Sequence, residues 1–272
     1  MAKTAAFFDL DKTLLSKSST LAYVKPLFEG GLLTRNSMIR GAYSQFVYQL
    51  GGADHDQMEQ ARVQLSEMVE GWDVAQIEEI VNQALNDVIE PIVYTEGLKL
   101  IEEHHAAGRD VVIISSSGTE VVEPIAARLG ADIAVGTQMA IEDGKYTGEI
   151  LFYAYGEGKV DAIKRLAEER GYDLAESYAY SDSITDLPML EAVGHPVATN
   201  PDKALREVAR DNVWPVMEFR KPEKAEKADK SESEEDHAHD TQKKIAVGAV
   251  AAGAAGAVAL GVAWYARNRN RT

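Results

Sequence analysis

Residues 92–216 alternate short apolar runs with helix-patterned segments, most of them closed by a turn signal, which is the pattern of a parallel sheet covered on both faces. Helical spacing over 97–107 stops at Gly108, and 110–114 (DVVII) reads as a buried strand ending in Ser115, Ser116 and Ser117. A second helix runs to Leu129 and Gly130. After a short strand over 133–135, the stretch 138–150 sets Asp143 and Gly144 between alternating residues, a hairpin signal. Helix 159–170, strand 178–181, helix 184–192, strand 195–198 and helix 202–210 complete the series, and 4–8 supplies a first strand. Between that strand and residue 92 the texture changes: 21–89 has helical spacing and no convincing strand. It predicts an inserted helical cap, with Val63, Met68, Val69, Ile77, Ile80, Val81 and Leu85 as packing positions. The expected architecture is an α/β, Rossmann-like doubly wound parallel sheet built from 1–15 and 91–219, carrying a cap over 16–90.

The rest of the chain has a different character. Residues 220–244 mix both charge signs with almost no large apolar side chain, so they read as a charged, disordered linker. Residues 245–266 carry no charge and lie between Lys244 and Arg267, long enough to cross a bilayer as a transmembrane helix, with Trp264 and Tyr265 at one end. Small residues four apart, Ala249, Gly253 and Ala257, would let two such helices pack as a homodimer. No export signal precedes the first strand, so the expected location is the membrane, with one C-terminal span and a cytoplasmic catalytic domain. A net charge of −16 excludes a broad positive field, and with it nucleic acid as the main partner. The absence of Cys excludes disulfides, thiolate metal sites and a Cys nucleophile.

In an open α/β sheet, ligands bind beyond the carboxyl ends of the strands, and here those ends are unusually polar. The first strand delivers Asp9, Leu10, Asp11, Lys12 and Thr13. Two carboxylates one residue apart can face one pocket, one as nucleophile and the other as proton donor and later acceptor, although such a pentapeptide alone more readily caps a turn. DVVIISSS ends in the Ser115 hydroxyl with backbone N–H groups entering a helix, a cradle for a phosphoryl oxygen. Lys159 follows GEG and can place a cation over the same anion, while YAYSDSITD adds Asp182 and Asp186. Four carboxylates in one pocket would repel one another, and Mg²⁺ would resolve the repulsion while keeping waters and a phosphate oxygen. The segment is no Walker motif, because Tyr153 and Val160 stand where a Gly and a Ser or Thr are required.

These residues, in this order, resemble the haloacid dehalogenase superfamily, subfamily IB, and most closely its phosphoserine-phosphatase-like branch. The resemblance rests on DLDKT, Ser115, Lys159 and SDSITD, and covers about residues 4–215. It implies that Asp9 attacks phosphorus to form an aspartyl-phosphate and that Asp11 protonates the leaving alcohol and then activates water. It further implies that Ser115 and Lys159 hold phosphoryl oxygens, that Thr13, Ser116 and Asn200 support substrate binding, and that Asp9, the Asp11 carbonyl and Asp182 bind Mg²⁺ with Asp186 in support. Two positions depart from true phosphoserine phosphatases: Ser18 stands where those enzymes carry a Glu, and Ser116 and Ser117 replace a Gly-Gly pair.

The expected function is a Mg²⁺-dependent phosphomonoester phosphatase of a small substrate, tethered to the membrane, with phosphoserine as one substrate. Alternatives are a phosphatase of a lipid-linked phosphomonoester such as lysophosphatidate, a phosphotransferase, and a non-catalytic membrane-anchored scaffold. Arg35, Arg40 and Arg62 are cap cations that could read a substrate anion.

Overall fold

A computed structural model describes residues 3–33, 63 and 66–222. The chain divides into two units, 1–224 and 225–272, and every described residue falls in the first. Seven strands form one sheet in the order β4-β3-β2-β1-β5-β6-β7. They are β1 (Ala5–Phe8), β2 (Asp110–Gly118), β3 (Ile133–Glu142), β4 (Lys145–Phe152), β5 (Tyr178–Ser181), β6 (His195–Thr199) and β7 (Val216–Met217). All neighbours pair in parallel except β3 with β4, whose hairpin turns at Asp143 and Gly144, both with positive φ.

Period-two alternation in the central strands sends side chains to two separate cores. Ala6, Phe8, Val111 and Ile113 face one side, where they pack with α3 (Thr95–Ala106) through Ile101 and α4 (Thr119–Leu129) through Val122 and Ile125. Ala5, Phe7, Val112 and Ile114 face the other, against α5 (Glu157–Arg170), α6 (Leu187–Glu191) and α7 (Lys203–Asp211) through Ile163, Leu190 and Leu205. Both faces are therefore covered, as a mostly parallel sheet requires.

Between β1 and β2 the chain forms α1 (Ser19–Glu29) and α2 (Val74–Ile89), capped by the side chains of Ser18 and Asp73. Tyr23, Leu27, Ile77, Val81 and Ile89 extend the first core into this region. Val69 is buried, and Met68, Ile80 and Leu85 pack partly buried against that core. Val63 is the exception among the expected packing positions, at 42% exposed. The segments entering and leaving the cap are tied together, with Ser16 N–H donating to the Ile92 carbonyl at 2.6 Å and Tyr94 N–H to that of Leu14 at 2.9 Å. Opposite them the β3–β4 hairpin braces the cap, since Gly71 N–H donates to the Tyr146 carbonyl and Tyr146 N–H to that of Trp72.

Several elements differ from the sequence expectation. Strand β3 is one continuous run through both the short strand and the first arm of the hairpin, because it pairs with β2 at its start and β4 at its end. The helix expected over 184–192 is split into a 3-10 turn, Ile184–Asp186, and α6, with Pro188 in the first turn of the latter. Strand β7 was not anticipated, being two residues long at the sheet edge.

The expectation of a membrane location, with one C-terminal span and a cytoplasmic catalytic domain, is corrected. Among the described residues no helix is long and apolar enough to cross a membrane. Residues 245–266 themselves lie outside the described residues, as do the small residues invoked for a homodimer and Arg35, Arg40 and Arg62. That run consists largely of Ala and Gly, which gain little on transfer from water, so its lack of charge overstated its apolarity.

Candidate active site

The carboxyl ends of β1, β2 and β5 open into a cavity of about 880 Å³. Asp9, Asp11, Lys12, Ser116, Lys159, Asp182 and Asp186 line it from the sheet side. On the cap side its walls include Leu21 and Ala22 of α1, Asp87 and Val88 of α2, and Ile92.

Lys159 is the hub of the floor. Its ammonium donates to Asp9 Oδ1 and to Asp186 Oδ2, each at 2.7 Å, and its side chain is only 3% exposed. Local backbone geometry puts it there. A Cβ on Gly158 would lie 2.0 Å from the Tyr153 carbonyl oxygen, so only glycine lets the chain fold back tightly enough at the start of α5. Asp186 also accepts from Ser181 Oγ at 2.7 Å, and Ser181 in turn accepts from Ser183 N–H at 3.2 Å. Asp186 is thus occupied in holding Lys159.

Asp9 leaves β1 with its N–H donating to the Tyr180 carbonyl at 2.9 Å, which prolongs the β1–β5 ladder and fixes its direction. Asp11 accepts Ser19 N–H at 2.8 Å, at the N-terminal end of α1, where a carboxylate meets unpaired donors and the positive end of the helix dipole. Lys12 between them has φ of 63°, a left-handed residue that turns both carboxylates toward one cavity. Thr13 is buried with its hydroxyl 3.5 Å from Asp182 Oδ1. Asn200 does not line the cavity: its side chain donates to the Lys12 carbonyl at 3.3 Å and accepts Phe219 N–H at 2.7 Å, clasping the loop that bears the two aspartates. Ser115 is buried and accepts Ser117 N–H at 3.3 Å, while Ser116 is the residue of that turn that lines the cavity.

The charges are poorly compensated. Burial pushes Asp9 well above the usual carboxylate range, with Lys159 pulling it back and Asp186 and Asp182 adding to the rise. Burial also raises Asp11, against the pull of Ser19 N–H. Asp182 is pushed up to about 7 by burial, with Lys12 opposing and Asp186 and Asp202 reinforcing. Burial works against the charge of Lys159 too, but Asp9 and Asp186 outweigh it and raise that group.

Asp9 and Asp182 are therefore buried carboxylates short of positive charge on one cavity wall, a donor set suited to a hard divalent cation. Among the described residues no group of three or more His, Cys, Asp or Glu side chains forms a metal cluster. Such an ion would need a backbone carbonyl and waters to complete its shell, as Mg²⁺ commonly does.

Sequence reasoning missed several contributors. Ser181 and Asp202 position the acidic loop, the latter by accepting Ile184 N–H at 2.9 Å. Ser19 and Thr20 both meet the Ser117 hydroxyl at 3.1 Å, joining α1 to β2. Their signal was present in the Ser/Thr-rich composition after each strand, but pairing across about a hundred residues is not readable from spacing. Asp87 was lost among the solvated positions of a helix.

A model of the haloacid dehalogenase-like hydrolases matches residues 6–191. The chain is 57% identical over 221 residues to a probable phosphatase of Mycobacterium tuberculosis, covering 81% of this chain and 77% of that protein. It is 52% identical over 270 residues to an inhibition of morphological differentiation protein of Streptomyces azureus, covering 99% and 95%. A protein of M. tuberculosis named phosphoserine phosphatase is 34% identical over 223 residues, covering 81% and 72%. Among solved structures, a Bordetella pertussis protein of unknown function superposes with a TM-score of 0.71 at 29% identity, covering 80% of this chain and 99% of that one. The chain belongs to the haloacid dehalogenase-like hydrolases. Within that family it is a phosphoric monoester hydrolase of the phosphoserine-phosphatase-like kind. This corrects the non-catalytic scaffold alternative.

Proposed function

We propose that the protein hydrolyses a small phosphomonoester through an aspartyl-phosphate on Asp9, with Mg²⁺ as cofactor. The observation that carries this reading is the floor of the cavity: Asp9 held by Lys159 at 2.7 Å, with Asp11, Ser116 and Asp182 lining the same space. An Asp9 oxygen attacks phosphorus and the bond from phosphorus to the leaving oxygen breaks. Asp11, raised by burial, is suited to carry the proton that this oxygen needs. In the second half, Asp11 takes a proton from water, the resulting hydroxide attacks phosphorus, and the Asp9–phosphorus bond breaks to release inorganic phosphate.

Lys159 offsets charge developing on the phosphoryl oxygens, and Asp186 and Ser181 keep its ammonium aimed. Ser116 and the backbone N–H groups entering α4 bind phosphoryl oxygens, with Ser115 supporting the turn beneath. Asp9, the Asp11 carbonyl and Asp182 would hold Mg²⁺, which would supply charge neutralisation of the phosphate. Thr13 and Asn200 act on substrate only through the loop they hold.

Phosphoserine is one substrate this reading covers, supported by the relative that bears that name and limited by Ser18 in place of a glutamate. The test is phosphate release by the full-length protein across phosphoserine and other small phosphomonoesters, with Mg²⁺ and with EDTA. Turnover that EDTA abolishes and Mg²⁺ restores is expected, and turnover unaffected by EDTA would sink the metal role. Retained turnover by Asp9→Asn would sink the mechanism. Phosphate appearing on an added alcohol rather than in solution would indicate a transferase.

A further inference from the structure

Where α1 touches the end of β2, a run of hydroxyls leads to Asp11. The Asp11 carboxylate accepts Ser19 N–H at 2.8 Å, and the hydroxyls of Ser18 and Ser19 add to that pull. Ser19 is fully buried, and its Oγ lies 3.1 Å from Ser117 Oγ. Ser117 Oγ lies in turn 3.1 Å from Thr20 Oγ1. A hydroxyl carries a single hydrogen. With Thr20 donating to Ser117 and Ser117 donating to Ser19, the hydrogen of Ser19 is left for Asp11.

Ser117 is the fixed point of this chain. Its N–H donates to Ser115 Oγ at 3.3 Å, and the neighbouring Ser116 carbonyl accepts Thr137 Oγ1 at 2.8 Å. Thr137 is itself 1% exposed and accepts Ala154 N–H at 3.3 Å. A Cβ on Gly136 would lie 2.7 Å from the Thr119 backbone, so β3 packs directly on the start of α4. The end of β2 is thus braced by the strand beside it, and α1 is registered against that brace. Ser117 does not line the cavity, so its hydroxyl acts on the site only through its neighbours. Without it, the buried Ser19 hydroxyl loses a partner and no longer has one favoured direction.

We propose that Ser117 is a positioning residue for proton transfer, which acts through Ser19 to aim the Asp11 carboxyl at the leaving oxygen. The proposal rests on the phosphatase reading above and concerns one step of it. As the bond from phosphorus to the leaving oxygen breaks, the Asp11 proton passes to that oxygen, and Ser117 governs how well the two are aligned.

The experiment compares kcat/KM of the full-length protein for benzyl phosphate, whose alkoxide needs a proton to leave, with that for p-nitrophenyl phosphate, whose phenolate leaves without one. Asp11→Asn gives the scale of a complete loss of the donor. Ser117→Ala should lower kcat/KM for benzyl phosphate about tenfold, part of what a positioned proton donor contributes, and that for p-nitrophenyl phosphate less than about twofold. Ser19→Ala should do the same, and the double variant should lose little more than either alone. Equal losses on both substrates in Ser117→Ala mean a packing role and overturn the proposal while leaving the phosphatase reading intact. Should that variant not fold, equal losses in Ser19→Ala do the same. If Asp11→Asn itself does not discriminate between the substrates, the donor role of Asp11 fails and the proposal with it. Absence of phosphate release from both compounds by the wild-type protein overturns the proposal and the phosphatase reading together.

Discussion

The floor and the roof of the cavity are built on opposite physical terms. On the floor, Lys159, Asp186 and Ser181 are almost wholly buried and linked by 2.7 Å contacts, and Asp9 is nearly as enclosed. On the roof, Leu21 is 51% exposed and Asp87 is exposed, while Ala22 and Val88 pack only partly buried against the core that holds Ile92. A buried network tolerates no change without leaving a charge uncompensated, so its geometry is fixed. An exposed side chain such as Leu21 can vary at small cost to stability. The fixed positions thus lie where the sheet imposes them, and the freer ones where the cap approaches.

That contrast can be broken at graded strengths. Asp9→Asn should lower phosphate release on the order of 10³-fold or more while the protein stays folded, measured by steady-state turnover beside a thermal melt. Lys159→Met removes the one cation between Asp9 and Asp186 and should cost about 3–5 kcal/mol in urea denaturation, since two buried carboxylates lose their partner. A loss below about 1 kcal/mol would mean that the floor is wetter than its burial indicates.

A third test lies away from both regions. His104 is buried against Phe8, with Nε2 2.8 Å from the Tyr180 hydroxyl, and burial lowers its pKa to about 4, with Arg109 and His105 adding to the shift. The unfolded chain takes up this proton near pH 6.5, so the stability His104 contributes is complete above that value and is lost as pH falls toward about 4. Between about pH 7 and about pH 5 the wild-type protein should lose roughly 1–2 kcal/mol more than His104→Phe does. Equal losses would refute the neutral buried state. The smallest effect belongs to the roof, where Leu21→Ala should change stability by less than about 0.5 kcal/mol yet raise KM for alkyl phosphates. A large loss of stability there would erase the distinction between roof and floor.

Much of the scaffold was legible in advance. Strand β5 begins and ends where its alternation with helical segments placed it, and the Asp143-Gly144 turn adopts the positive φ values that its residues favour. Strand β7 escaped because two residues at an edge carry no period, and Val63 misled because helical spacing says nothing about which neighbour is present. At the site, Asp9, Asp11, Lys159, Asp182 and Asp186 could be singled out because each stands at the end of a strand or the start of a helix that pattern alone locates. Their division of labour could not. That Lys159 bridges Asp9 and Asp186, that Asn200 clasps the Lys12 carbonyl, and that Ser116 rather than Ser115 lines the cavity depend on groups up to 188 residues apart in sequence.

The sequence by itself determined the two periods, the turn residues and the acidic strand ends, because these follow from local backbone geometry and from what a side chain prefers as its own surroundings. Only the tertiary structure decided which carboxylates meet the lysine, which stays uncompensated, and which cap residues line the cavity. Those outcomes depend on burial and on distances across the sheet, and both arise only when remote segments close around a common cavity.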